Sequence, residues 1–160
     1  MGKKLILETD LPSDYCIIGI AYHHNDYLLS FHLNKLLNIY LKKNIDFIYS
    51  GIKGTDVQQF PLASYTDLEN HQNFFLISNH GNKGFLIPSI KQIDYFVFVQ
   101  GIENLDKNNF PKGTESVLQL IRSIPNIVAA LEIKLTLVKD IAVLLSELEL
   151  HMLEVKKSKK

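Results

Sequence analysis

Two pairs of neighbours carry most of the chemistry this chain could do: Asn79 with His80, and Asp94 with Tyr95. An amide, an imidazole, a carboxylate and a phenol brought to one wall could grip a small polar ligand or move its protons. The competing reading is architectural. Asp94 can accept backbone N–H groups from the bend before it, and Tyr95 can bury its ring while its hydroxyl finds a polar partner. The choice turns on whether these side chains face a cavity or the packed core.

The remaining reactive side chains form no complete set. His23, His24, Asn25, Asp26 and His32 include metal-capable groups, but neighbours at a strand end point to opposite faces, and no Cys pair or HExxH spacing completes a site. No metal or cofactor is expected; Asn25 or Asp26 instead caps a helix. Gly81-Asn82-Lys83-Gly84 is too short for a phosphate-binding loop and lacks the closing Lys-Ser or Lys-Thr. No GxSxG elbow marks an activated serine, and Cys16, inside an apolar run, reads as an inert core thiol. No catalytic residue is assigned, and the balance leans away from an enzyme.

The elements that must position these groups alternate between strands and helices. Short apolar runs predict strands at residues 5 to 9, 16 to 22, 45 to 49, 60 to 65, 73 to 78, 85 to 87, 95 to 100 and 127 to 133, with Pro61 marking an edge strand. Residues 50 to 58, with Gly51 and Gly54, read as a loop. The run 95 to 100 has no polar alternation, the pattern of a central strand covered on both faces. Leu29, Leu33, Leu36, Leu37 and Tyr40 share one face of a helix reaching about residue 41, with Lys42 and Lys43 placed to complement its C-terminal dipole. Thr114 caps a second helix carrying Val117, Leu120, Ile121 and Ile124 and stopped by Pro125. Thr136 opens a third, with Val138, Ile141, Leu145, Leu148 and Met152 along one stripe. Residues 79 to 84 connect two strands, with Gly81 and Gly84 supplying positive φ.

These elements predict one α+β domain over residues 1 to 155 followed by a basic tail at 156 to 160. The sheet is expected to be mostly antiparallel with some parallel pairing, with two β-α-β units around 16 to 49 and 95 to 133, about three helices and a layout related to the ferredoxin-like one.

Residues 87 to 95, Ile87-Pro88-Ser89-Ile90-Lys91-Gln92-Ile93-Asp94-Tyr95, resemble the motif of the bacterial IPExxxVDY family, with Ile93 in place of Val and Ser89 in place of Glu. The resemblance implies no particular reaction. A catalytic or metal-binding Glu would lose its charge at Ser89, which favours a scaffold role for Ile87, Pro88, Ser89, Ile93, Asp94 and Tyr95, with ligand binding second. Physically, Pro88 ends or bends a strand. Ile87, Ile90 and Ile93, three apart, fit one tight helical turn that anchors the bend.

Charge narrows the function classes. Four of the 17 Lys and Arg fall in the last ten residues with one of the 17 Asp and Glu, leaving 13 basic against 16 acidic before residue 151, a net of −3. A mildly acidic body argues against a broad phosphate-binding face. Aromatics at Phe74, Phe75, Tyr95, Phe96 and Phe98 have no interleaved basic residues, so they read as core and not as a base-stacking platform. With one cysteine, no signal-peptide core and no apolar run near the roughly 18 residues needed to span a bilayer, the expected location is the cytoplasm. The expected function is a non-enzymatic module that binds a protein partner or itself through the apolar stripe of the last helix, extended toward Met152 and Val155. The alternatives are a small-ligand sensor or enzyme with a pocket near Asp94 and Tyr95, and an RNA-associated accessory protein.

Overall fold

The computed structural model describes residues 15–49, 57–69, 71–101 and 113–158. Among them are eight strands: β1 (Tyr15–Tyr22), β2 (Lys42–Lys43), β3 (Phe47–Tyr49), β4 (Gln58–Phe60), β5 (Leu62–Asp67), β6 (Gln72–Ser78), β7 (Tyr95–Gln100) and β8 (Ile127–Ile133). Three α-helices accompany them: α1 (Asp26–Leu37), α2 (Gly113–Arg122) and α3 (Ile141–Ser158). Six strands form one sheet in the order β2-β5-β6-β7-β1-β8, and β3 with β4 makes a separate two-stranded sheet. The class is α+β.

Every pairing in the large sheet is antiparallel, so alternate strands run the same way. β1 and β6 flank β7, while β7 and β8 flank β1. Each β-α-β crossover therefore skips a strand, and no two parallel strands are hydrogen-bonded among the described residues. The series β1-α1-β6-β7-α2-β8, with spatial order β6-β7-β1-β8, is the ferredoxin-like layout, and β5 and β2 extend the sheet beyond β6. The return strand of the first unit is β6 or the distant β2. It is not the expected segment at 45 to 49, whose residues 47 to 49 pair with β4 instead.

Alternation along the strands splits the core into two layers. Ile18, Ile20, Leu76, Val97 and Val99 face Leu29, Leu33 and Leu37 of α1 and Val117, Leu118 and Ile121 of α2. Ile17, Phe75, Ile77, Phe96 and Phe98 face Ile141, Leu144, Leu145 and Leu148 of α3 and the rings of Phe47 and Phe60. With both faces covered, β1 and β7 read as nearly unbroken apolar runs. Each large side chain so buried contributes about 1.5–3 kcal/mol relative to exposure.

Local chemistry explains where the elements depart from the periodic expectation. α1 stops at Leu37 because Asn38 adopts a left-handed conformation (φ 57°), its N–H returning to the Asn34 carbonyl. The Asn34 side chain then bonds both the N–H and the C=O of Leu41 and turns the chain back. Lys42 and Lys43 consequently do not serve the helix C-terminus; they pair with Ser64 and Ala63 as β2. Lys43 Nζ lies 3.3 Å from Asp26, at the opposite end of α1. Pro61 marks no edge strand. It separates β4 from β5, where the chain passes between the two sheets, and its carbonyl accepts the Ser78 N–H.

Residues 85 to 87 form no strand: β6 pairs directly with β7, and a single bridge links His80 to Phe85. Gly81 and Gly84 do not take positive φ. Gly81 answers a close approach, since a Cβ there would lie 2.5 Å from Phe60 Cε1. The positive φ, 86°, belongs to Gly101 at the end of β7, where a Cβ would also collide with the His71 carbonyl. Gly101→Ala should lose about 1–2 kcal/mol, read as a lower urea midpoint at unchanged slope.

The last helix starts later than expected, at Ile141, after a 3-10 turn over Leu135–Leu137, with Val138 buried ahead of it. Met152 packs against the sheet-side core and Val155 is buried, so the stripe expected to reach a second subunit is covered by its own chain. α3 continues to Ser158, three residues into the expected tail. The expected strand at 5 to 9 and most of the loop at 50 to 58 lie outside the described residues, and α2 begins at Gly113, so Thr114 lies inside its first turn and not ahead of it as a cap. No described helix is long and apolar enough to cross a membrane.

Candidate functional site

The family-like stretch builds a joint at one end of the large sheet. Ile87 is extended (φ −122°, ψ 93°) ahead of Pro88, as a residue preceding proline must be, and Pro88–Ile90 forms a 3-10 turn. The Ile90 N–H donates to the Ile87 carbonyl at 3.2 Å and the Ile93 N–H to the Ile90 carbonyl at 3.1 Å. Ile87 and Ile93 are buried and Ile90 is half-buried, so the threefold spacing does anchor the bend. Ser89, where the resembled family has Glu, is exposed on that turn.

Asn79 holds the turn from inside. Its Oδ1 accepts the Ile87 N–H at 2.8 Å, while its Nδ2 donates to the Ile93 carbonyl at 2.8 Å and to the Ile90 carbonyl at 3.2 Å. Its own N–H donates to the Asp94 carbonyl and its carbonyl accepts the Leu86 N–H. One fully buried amide thus satisfies two backbone groups that the turn leaves unpaired, the Ile87 N–H and the Ile93 carbonyl, and adds a second donor to the Ile90 carbonyl. The expected role of Asn79 as a pocket wall is not what its contacts describe.

Asp94 faces the end of β1. Its Oδ2 accepts the Tyr22 N–H at 2.8 Å, its Oδ1 lies 3.0 Å from His80 Nε2, and His23 Nε2 lies 3.9 Å from Oδ2. The backbone donor therefore comes from β1 and not from the bend. Fractional exposure falls from 75% at the His23 side chain and 52% at His80 to 17% at Asp94, so two imidazoles screen a half-covered carboxylate. When protonated, His80 makes a charge-assisted hydrogen bond with it, while His23 stands beyond hydrogen-bond reach as a longer ion pair. Among the described residues nothing bonds His80 Nδ1, which leaves an oriented imidazole with one unused nitrogen.

Tyr95 buries its ring and donates its hydroxyl to the His24 carbonyl at 2.7 Å. Burial, then the nearby Asp26, Asp94 and Tyr22, pushes its pKa up to about 12 from 10.0. Tyr49 rises to about 12 as well, through burial and then Glu147 and Asp140. The neutral phenols are the forms that pack. Their stabilisation is complete below pH 10, where the unfolded chain keeps its protons, and is lost as pH climbs through 12. Urea midpoints should fall across that window, and Tyr95→Phe should flatten the fall; an unchanged slope in the variant would remove Tyr95 as a cause.

The structure thus brings His80, Asp94 and the backbone before Tyr95 together, and it puts Asn79 to structural use. Sequence reasoning set His23 aside as a partly exposed polar group, yet it stands beside Asp94. It also missed His151, buried on α3 with Nε2 3.0 Å from the Ile45 carbonyl and its ring edge-on to Phe47. Burial of a lone histidine in an apolar stripe was the available signal. No group of three or more His, Cys, Asp or Glu side chains among the described residues is placed to hold a metal ion. Two described clefts lie elsewhere. One of about 510 Å³ runs beside α1, between Phe31, Asn34, Leu41 and Lys43, and another of about 490 Å³ lies between Tyr40, Tyr65 and Met152. No family model matches the chain, and no curated protein matches it.

Proposed function

We propose that this chain is a non-enzymatic interaction module that docks a protein partner on the outer face of α1. The observation that carries the reading is the aromatic stripe formed by Tyr27, 83% exposed, and Phe31, 53% exposed, one helical turn apart. Leu28 is exposed beside them, and Lys35 lies over the Phe31 ring at 5.5 Å. A helix whose inner face is already filled by Leu29, Leu33 and Leu37 gains nothing for folding from aromatics on its outer face. Exposed rings rimmed by polar groups such as Asp26, Ser30 and Lys43 are the composition of an interface core. This moves the expected docking surface from α3 to α1.

The test compares native complexes captured by wild type, by Tyr27→Ser/Phe31→Ser and by the control Leu150→Ser, together with sedimentation velocity for self-association. A specific partner, or a dimer, that survives the control and disappears in the double variant supports the reading. A monomer with no reproducible partner counts against it. Because Tyr27 stands in solvent and Phe31 is half exposed with Lys35 over its ring, folding stability should shift by no more than about 1 kcal/mol in the double variant.

A second reading rests on the His80 and Asp94 pair, which suits a small polar ligand that the imidazole could bind through its unused nitrogen. Ligand binding to the native state raises apparent stability, so a metabolite screen by thermal shift addresses it. A shift that vanishes in His80→Ala supports this reading, and a library without any shift counts against it.

A further inference from the structure

Among the described residues the large sheet ends at β8, a seven-residue strand of sequence IVAALEI whose only charge is Glu132. Val128 and Leu131 are 64% and 41% exposed. A terminal strand this apolar offers its outer row of N–H and C=O groups to any extended chain, and proteins normally block such edges.

The orientation of that row follows from β1. The Ile20 carbonyl accepts the Asp94 N–H, so the peptide groups of Ile20 point toward β7 and away from β8. Ala130, opposite Ile20, therefore turns its own N–H and C=O outward, at the middle of the open edge. That carbonyl is not left to solvent. Arg122, the last residue of α2, reaches back and donates both Nε–H, at 3.0 Å, and Nη2–H, at 2.8 Å, to the Ala130 oxygen. A register shift between Ala21 and Tyr22 further disturbs the ladder at the start of β8.

We propose that the outer edge of β8 is a strand-pairing surface for the same edge of a second copy, and that Arg122 keeps it closed. The strand is self-complementary. An antiparallel pair centred on Ala130 sets Ile127 opposite Ile133 and Val128 opposite Glu132, with no like charges facing. A guanidinium seated on the central carbonyl occupies the acceptor that such a pair needs and places a charge in its path. This surface lies on a different element from the α1 stripe and does not depend on it.

The test is sedimentation equilibrium of wild type and Arg122→Met, which keeps much of the aliphatic stem, with near-ultraviolet circular dichroism confirming that the variant is folded. Wild type should show no self-association through this edge, while Arg122→Met should become dimeric with rising concentration. Two second-site variants fix the register. In the Arg122→Met background, Val128→Glu sets like charges opposite Glu132 at both ends and should abolish the dimer, whereas Val128→Lys sets opposite charges there and should tighten it. A folded Arg122→Met that stays monomeric at every concentration overturns the proposal. So does a dimer that responds equally to Val128→Glu and Val128→Lys.

Discussion

Asn79→Ala should cost about 3–5 kcal/mol of folding stability, because it removes a side chain that reaches the inside of the 87 to 93 turn with both a donor and an acceptor. Each buried backbone group left unpaired costs about 1–3 kcal/mol, and two are left, the Ile87 N–H and the Ile93 carbonyl, since the Ile90 carbonyl keeps its bond from the Ile93 N–H. Against a total of about 5–15 kcal/mol for a typical domain, this is enough to unfold a marginal protein. Asn79→Asp is the sharper test. The shape is kept, but carboxylate oxygens cannot donate to the Ile90 and Ile93 carbonyls, and a charge would be buried at a fully enclosed position. Urea denaturation at neutral pH should therefore rank wild type above Asn79→Ala, and Asn79→Ala above Asn79→Asp. If both variants fall within 1 kcal/mol of wild type (roughly the loss of one ordinary hydrogen bond), the turn is held by its isoleucines and not by the amide.

The same site shows which contacts a linear reading can reach. Apolar runs and helical spacing are local, and they placed β1, β6, β7 and β8, the helical faces apart from Tyr40 and Val138, which fall outside the helices, and the Ile87, Ile90, Ile93 turn. Tyr95 was legible as a buried ring whose hydroxyl finds a polar partner, because the phenol itself carries both requirements. Asn79 was not, since nothing in its neighbours says that its amide will turn inward across eight to fourteen positions to meet Ile87 and Ile93. Nor was β2, where two lysines pair at a sheet edge with no apolar pattern to announce them. The early stop of α1 could have been read: Asn38 is the residue type that tolerates the left-handed cap, but the continuing apolar sequence Ile39 to Leu41 masked it. Ile39 and Leu41 are buried, with Tyr40 between them exposed, because the chain folds back through Asn34, a long-range consequence of one side chain.

Asp94 separates architecture from chemistry more directly than any other residue here. Asp94→Ala removes the acceptor of the Tyr22 N–H and the partner of His80, and it should cost roughly 2–3 kcal/mol, the range for a hydrogen bond to a charged group whose donor is then left unmet. Asp94→Asn should recover most of that loss. Its carbonyl oxygen can still accept from Tyr22, and its NH₂ can donate to His80 in the tautomer that presents an unprotonated Nε2. If the site is a joint between β1, the 79 to 87 connection and β7, the amide variant keeps both the fold and any partner binding at α1. If the carboxylate also orients His80 for a ligand, the amide variant keeps the fold and loses the ligand, because the reversed hydrogen bond moves the imidazole proton to Nδ1 and changes what that nitrogen can accept. Parallel measurement of urea midpoints and ligand-induced thermal shifts in the two variants distinguishes these outcomes. Equal destabilisation of Asp94→Asn and Asp94→Ala would contradict both, since it would mean that the negative charge, and not the hydrogen-bond pattern, holds the end of β1 in place.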